Sequence, residues 1–117
     1  MKEICNALNC PVVATLDMIG GKYKSLIIWH LLESTLRFGQ IRKLIPQATP
    51  KMLTQQLREL EEDKLIIRTV YPVVPPKVEY KLSDLGLSMK PILYEMYDWG
   101  SDYMKDKGLS VNCSMKH

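Results

Sequence analysis

Lys51, Gln55 and Arg58 recur four and three residues apart, with Thr54 beside them, so they share one side of a helix. An amide and two cations on one side can do a specific kind of chemistry. Gln55 can pair with an adenine edge, and Arg58 or Lys51 with a guanine edge or a phosphate. Leu53, Leu57 and Leu60 hold the opposite side, with Met52 next to them. Thr49 is a good N-cap and Pro50 a good first helical residue. The acids Glu59, Glu61, Glu62 and Asp63 all come late in this stretch. The positive end of the helix dipole is therefore left clean of negative charge. Such a helix suits insertion into the major groove of duplex DNA. Taken alone, the pattern also describes an amphipathic surface helix with a solvated face.

The flanking segments strengthen the first reading. Phe38, Ile41, Leu44 and Ile45 predict a helix ending at or before Pro46, and Gln47-Ala48 forms a turn into the next helix. That is helix–turn–helix spacing. After it, residues 65–71 are β-branched and aromatic enough for a strand, and Val78, Tyr80 and Leu82 alternate with Glu79 and Lys81 in a half-buried return strand. The loop between them holds three prolines and Lys77. It reads either as a wing laid on the DNA backbone, with Lys77 and Arg68 supplying charge, or as a hairpin that merely covers the core. Tyr80 and Leu82 belong to the core in both cases.

Upstream, Pro11 opens a helix with Val12, Val13, Leu16 and Ile19 at helical spacing, stopped by Gly20-Gly21. Residues 22–33 predict a second helix, apolar on more than one face and hence central. Downstream, Ser83 caps a C-terminal helix that Pro91 kinks or divides. The order is α-α-α-α-β-β-α, mainly α with a small hairpin. We expect a short arm over 1–9, one domain over 10–107 and a tail over 108–117.

The chain has 117 residues, 46% of them hydrophobic and 25% charged, which suits one soluble domain. The net charge of +3 is mild, but its distribution is uneven. Residues 37–81 hold nine Lys/Arg against five acids, a net of +4, while the remainder holds seven against eight, a net of −1. The excess sits where phosphates would be. No run of about 18 apolar residues suggests a membrane span, and the first residues lack the apolar core of a secretory signal. A cytoplasmic location is expected.

The C-terminal helix carries more apolar positions than a small domain easily covers. Leu93, Met96, Tyr97, Trp99 and Tyr103 are candidates for a surface that packs a second copy, the alternative being packing on the first two helices. Cysteines number three, Cys5, Cys10 and Cys113, an odd count whose spacing fits neither a disulfide framework nor a zinc site. Cys5 and Cys113 lie in the terminal arms. Cys10 precedes a helix start, where the dipole favours a thiolate. It reads as a redox or electrophile sensor or as a half-buried structural thiol. His30 has no ligand or catalytic partner at useful spacing, and no nucleophile–base–acid set or phosphate-cradling loop is present. No enzyme, cofactor or metal site is expected.

At these residues the chain resembles the HxlR-type family of bacterial winged helix–turn–helix regulators, related to MarR-type regulators. The likeness runs through residues 10 to 104. It is carried by Cys10-Pro11-Val12, Gly20-Gly21-Lys22-Tyr23, residues 37–41 and 53–61, Pro75-Pro76-Lys77-Val78-Glu79-Tyr80, and Trp99-Gly100. The resemblance implies a homodimeric DNA-binding transcription factor. Its fourth helix would be the recognition helix, its hairpin loop the wing, and its terminal helices the dimer interface. Some members sense oxidants or electrophiles through the cysteine matching Cys10. Three departures are visible. Tyr23 replaces the usual tryptophan, Ser83 a threonine, and Lys64 stands where a glycine usually follows the recognition helix.

The expectation is a regulator, a repressor, acting as a homodimer on a pseudo-palindromic operator. Lys51, Thr54, Gln55 and Arg58 would meet the groove, and Arg37, Arg42 and Lys77 the phosphates. The rival readings are a winged-helix module for protein–protein contact without DNA binding, a thiol-dependent enzyme using Cys10, and a regulator gated by a small molecule of unknown identity.

Overall fold

The computed structural model describes residues 9–113. Most of the expected N-terminal arm, including Cys5, lies outside them, as do residues 114–117. Helices α1 (Pro11–Ile19), α2 (Lys24–Leu31), α3 (Phe38–Leu44) and α4 (Pro50–Glu62) precede an antiparallel hairpin of β1 (Ile66–Tyr71) and β2 (Lys77–Leu82). Helices α5 (Asp84–Leu87) and α6 (Lys90–Asp106) follow.

Helix α2 is the centre. Ile27 and Ile28 are fully buried, and α2 touches α3, α4, α6 and β2. It is shorter than residues 22–33. Ahead of its first turn the Tyr23 N–H, which has no partner within a helix start, donates to the Gln56 side chain at 3.0 Å. Ile41 and Ile45 bring α3 onto this core, and Leu53, Leu57 and Leu60 bring α4.

The C-terminal helix is divided, with the break at Ser88–Met89, just ahead of Pro91 in the first turn of α6. Ser83 caps α5, its Oγ accepting from the Gly86 N–H at 3.1 Å. Gly86 packs so closely that a Cβ there would lie 2.2 Å from the Leu65 carbonyl oxygen. Only glycine allows that approach.

The hairpin runs from the pair Ile66–Leu82 to the pair Tyr71–Lys77. Leu36 adds a bridge that sequence reasoning missed: its N–H donates to the Tyr80 carbonyl at 2.9 Å and its carbonyl accepts at 2.8 Å. One residue outside the hairpin thus ties the start of α3 to β2.

The tail departs from expectation as well. Gly108, at φ 73°, closes α6, and the chain then brings Cys113 to Trp29, whose Nε1 lies 3.4 Å from Sγ. Cys113 is packed on the core rather than carried in an arm. No described helix is long and apolar enough to cross a membrane.

Candidate nucleic-acid interface

The interface begins at the N-cap of α4. Thr49 Oγ1 accepts from the Met52 N–H at 3.1 Å, and Pro50 occupies the first turn. No acid stands in that turn. Because Leu53, Leu57 and Leu60 are buried, the helical period turns Lys51, Thr54, Gln55 and Arg58 outward, and all four are exposed. With Pro50 and Glu59 they line one shallow groove. The Thr54 hydroxyl donates back to the Pro50 carbonyl at 2.8 Å. Its methyl group and the free acceptor side of its oxygen remain for a base edge.

Glu59 is the negative group in this groove, and it is restrained from behind. Lys24, at the start of α2, places its Nζ 2.7 Å from Glu59 Oε1. The Lys24 side chain is only 8% exposed, against 38% for Glu59. The hydrogen bond and charge of Lys24, together with the Gln55 amide, hold the Glu59 carboxyl below its ordinary range against the opposing effect of burial. Sequence reasoning missed Lys24 and Gln56 altogether. The available signal was a lysine in the most apolar helix, a type that is buried only when paired.

The phosphate candidates fall in two places. Arg42 is exposed on α3. Arg37, the N-cap of α3, and Lys77, at the start of β2, come together around Glu79. Lys77 Nζ lies 3.3 Å from the Glu79 carboxylate and 5.1 Å from the centre of the Tyr71 ring. Burial pushes the Glu79 carboxyl up. Hydrogen bonds from Tyr71 and Lys77, with the charges of Lys77 and Arg37, outweigh that and leave it below its ordinary range.

The chain matches the HxlR-like helix-turn-helix family over residues 18–108. It belongs to that family. A curated relative, the uncharacterized HTH-type transcriptional regulator YdeP of Bacillus subtilis (strain 168), is 52% identical over 99 residues, covering 85% of this chain and 77% of YdeP. Among solved structures, the HTH-type regulator ytcD superposes with a TM-score of 0.80 at 48% identity, over 83% of this chain and 99% of that one. The redox regulator HypR in its oxidized form superposes with a TM-score of 0.76 at 47% identity, over 80% of this chain and 96% of that one. The HxlR-like proteins are transcriptional regulators, not enzymes.

Within this family frame the remaining candidates divide. Leu93 is 3% exposed and lies in the core, so it presents no surface. Tyr97 is half-buried and stacks on Trp29 with centroids 5.4 Å apart. Met96, Trp99 and Tyr103 are exposed, Trp99 most of all at 71%, and the Trp99 and Tyr103 rings stack. Ile92 on α6 and Val12 and Leu16 on α1 are exposed as well.

Cys10 is disulfide-bonded. The reading of the cysteine spacing, which found no disulfide framework, did not foresee this single bond. Pairing depends on how near two Cα atoms come in space, which spacing rules for compact disulfide frameworks do not capture. Among the described residues no group of three or more His, Cys, Asp or Glu could hold a metal. A cavity of about 200 Å³ between α2 and α6, lined by Leu26, Trp29, Tyr97 and Cys113, is smaller than usual small-molecule sites.

Proposed function

We propose that this protein is a transcriptional regulator that inserts α4 into the major groove of duplex DNA, as a homodimer on a pseudo-palindromic operator. The observation that carries the reading is the two-sidedness of α4. One side is locked in the core by three leucines, and the other offers Lys51, Thr54, Gln55 and Arg58 at a helix start free of acids. Gln55 and Arg58 read base edges. Lys51 and Thr54 meet the groove beside them, and Arg37, Arg42 and Lys77 hold phosphates, the last from the wing.

A second copy packs on the apolar strip of Met96, Trp99 and Tyr103. Pairing of that kind sets two recognition helices about one DNA turn apart, roughly 34–36 Å. The regulation that belongs to this reading is repression, by a dimer that covers a promoter in the cytoplasm. A redox response through Cys10 is favoured by its disulfide and by the family likeness to HypR.

Selection of bound duplexes from a random pool, under reducing conditions and after mild oxidation, tests the reading. The expected product is an inverted repeat whose recovery changes with oxidation. Gln55→Ala and Arg58→Ala should each lower discrimination at one base pair by about 1–3 kcal/mol. A module made only for protein–protein contact would select no sequence and show no salt-dependent complex. A thiol enzyme would lose turnover in Cys10→Ser while DNA binding stayed the same.

A further inference from the structure

The ion pair behind α4 is better built than a surface bridge and sits at the turn that meets the groove. Lys24 is nearly buried, yet its ammonium reaches the Glu59 carboxylate at 2.7 Å. One residue earlier, the Tyr23 N–H holds Gln56 Oε1 at 3.0 Å. At Gly21 a Cβ would come within 2.6 Å of that same oxygen and 2.9 Å of Lys24 Cδ. The turn before α2 is therefore fitted against the middle of α4. Gln55 and Glu59 line the same groove and stand four residues apart, the spacing at which an amide and a carboxylate meet on a helix.

We propose that Lys24 is a positioning residue for base readout: by clamping Glu59 it holds the Gln55 amide in one orientation on the outward side of α4. The inference rests on the DNA-binding reading above. An ionised carboxylate only accepts hydrogen bonds, so it draws the amide N–H₂ of Gln55 toward itself. The carbonyl oxygen and the second N–H of Gln55 are left facing out. That acceptor–donor pair is what adenine matches, with its N6 amino group and N7. With Glu59 mobile, the amide could flip and the preference would blur. Lys24 also neutralises Glu59 without occupying the surface that phosphates need.

The test compares discrimination ratios, the affinity for the selected duplex over that for single-base variants, so that a change in overall charge cancels. Gln55→Ala locates the base pair that Gln55 reads. Lys24→Met and Glu59→Gln are expected to lose about tenfold discrimination at that base pair and to keep the ratios elsewhere in the half-site. Lys24→Arg, which can still clamp Glu59, should retain the ratio. Thermal melts establish that each variant is folded; should Lys24→Met not fold, Glu59→Gln and Lys24→Arg decide the matter. Full discrimination in folded Glu59→Gln or Lys24→Met, or an equal loss at every base pair, overturns the proposal. A wild-type protein that selects no duplex overturns the DNA-binding reading itself, and this inference with it.

Discussion

Replacing Lys64 by glycine should make the protein more stable, although it removes a side chain and adds none. Lys64 is the described non-glycine residue with positive φ, at 65°. It occupies the left-handed position that ends α4. Its N–H donates to the Glu61 carbonyl at 3.0 Å, and the Leu65 N–H donates to the Leu60 carbonyl at 3.0 Å. These two bonds, with Leu60 and Leu65 both buried, make a Schellman ending. The same ending closes α6, where Gly108 holds the corresponding place at φ 73°. A side chain in this conformation costs about 1–2 kcal/mol. Glycine loses about 0.5–1 kcal/mol of that gain through the greater freedom of its unfolded chain. A net gain of about 0.5–1 kcal/mol remains, which for a chain of this size raises Tm by about 2–4 °C. The Lys64 carbonyl, which accepts from Ser83 Oγ at 2.6 Å, is unaffected because it belongs to the backbone. The control is Lys64→Ala, which removes the same charge and keeps the strain. Melting followed by circular dichroism at one protein concentration, since association shifts Tm, would measure the difference. A Lys64→Gly protein no more stable than Lys64→Ala would refute the reasoning.

Three further outcomes are expected. Lys77→Ala should weaken binding to all duplexes alike and flatten the slope of log K against log salt by about one unit, read by titration at several salt concentrations; an unchanged slope would remove Lys77 from phosphate contact. Trp99→Glu should weaken the dimer at least 100-fold in sedimentation equilibrium, because a ring 71% exposed in the protomer offers about 3 kcal/mol of apolar burial; an unaltered mass distribution would place the interface elsewhere. Burial holds the half-buried His30 imidazole below its ordinary pKa of 6.5. The unfolded chain then binds the proton first, so stability is full above that value and falls as pH drops from it toward the folded pKa. In His30→Gln, the denaturation midpoint should lose that slope between about pH 7 and 5, and parallel curves for the two proteins would contradict it.

Much of the fold follows from local chemistry. The start of α4 is written in Thr49-Pro50, its buried side in three leucines at helical spacing, and the hairpin in its alternation and prolines. Such features act over a few residues and leave a periodic trace in the sequence. The contacts that set α4 in place leave none. Tyr23 meets Gln56 across 33 residues, and Trp29 meets Cys113 across 84. Lys24 stands out in the sequence only as a lysine in an apolar helix, and its partner Glu59 is visible only in the fold. The division of the last helix was open in the sequence because Pro91 permits either a kink or a fresh first turn.

What the sequence determined alone is which side of α4 can face outward and which residues that side displays, because a helical repeat and a capping residue suffice for it. Only the tertiary structure decided how that side is held. An ion pair, an amide acceptor and a close glycine come from elements distant in the chain, and their meeting depends on how the core packs rather than on any spacing a reader could count.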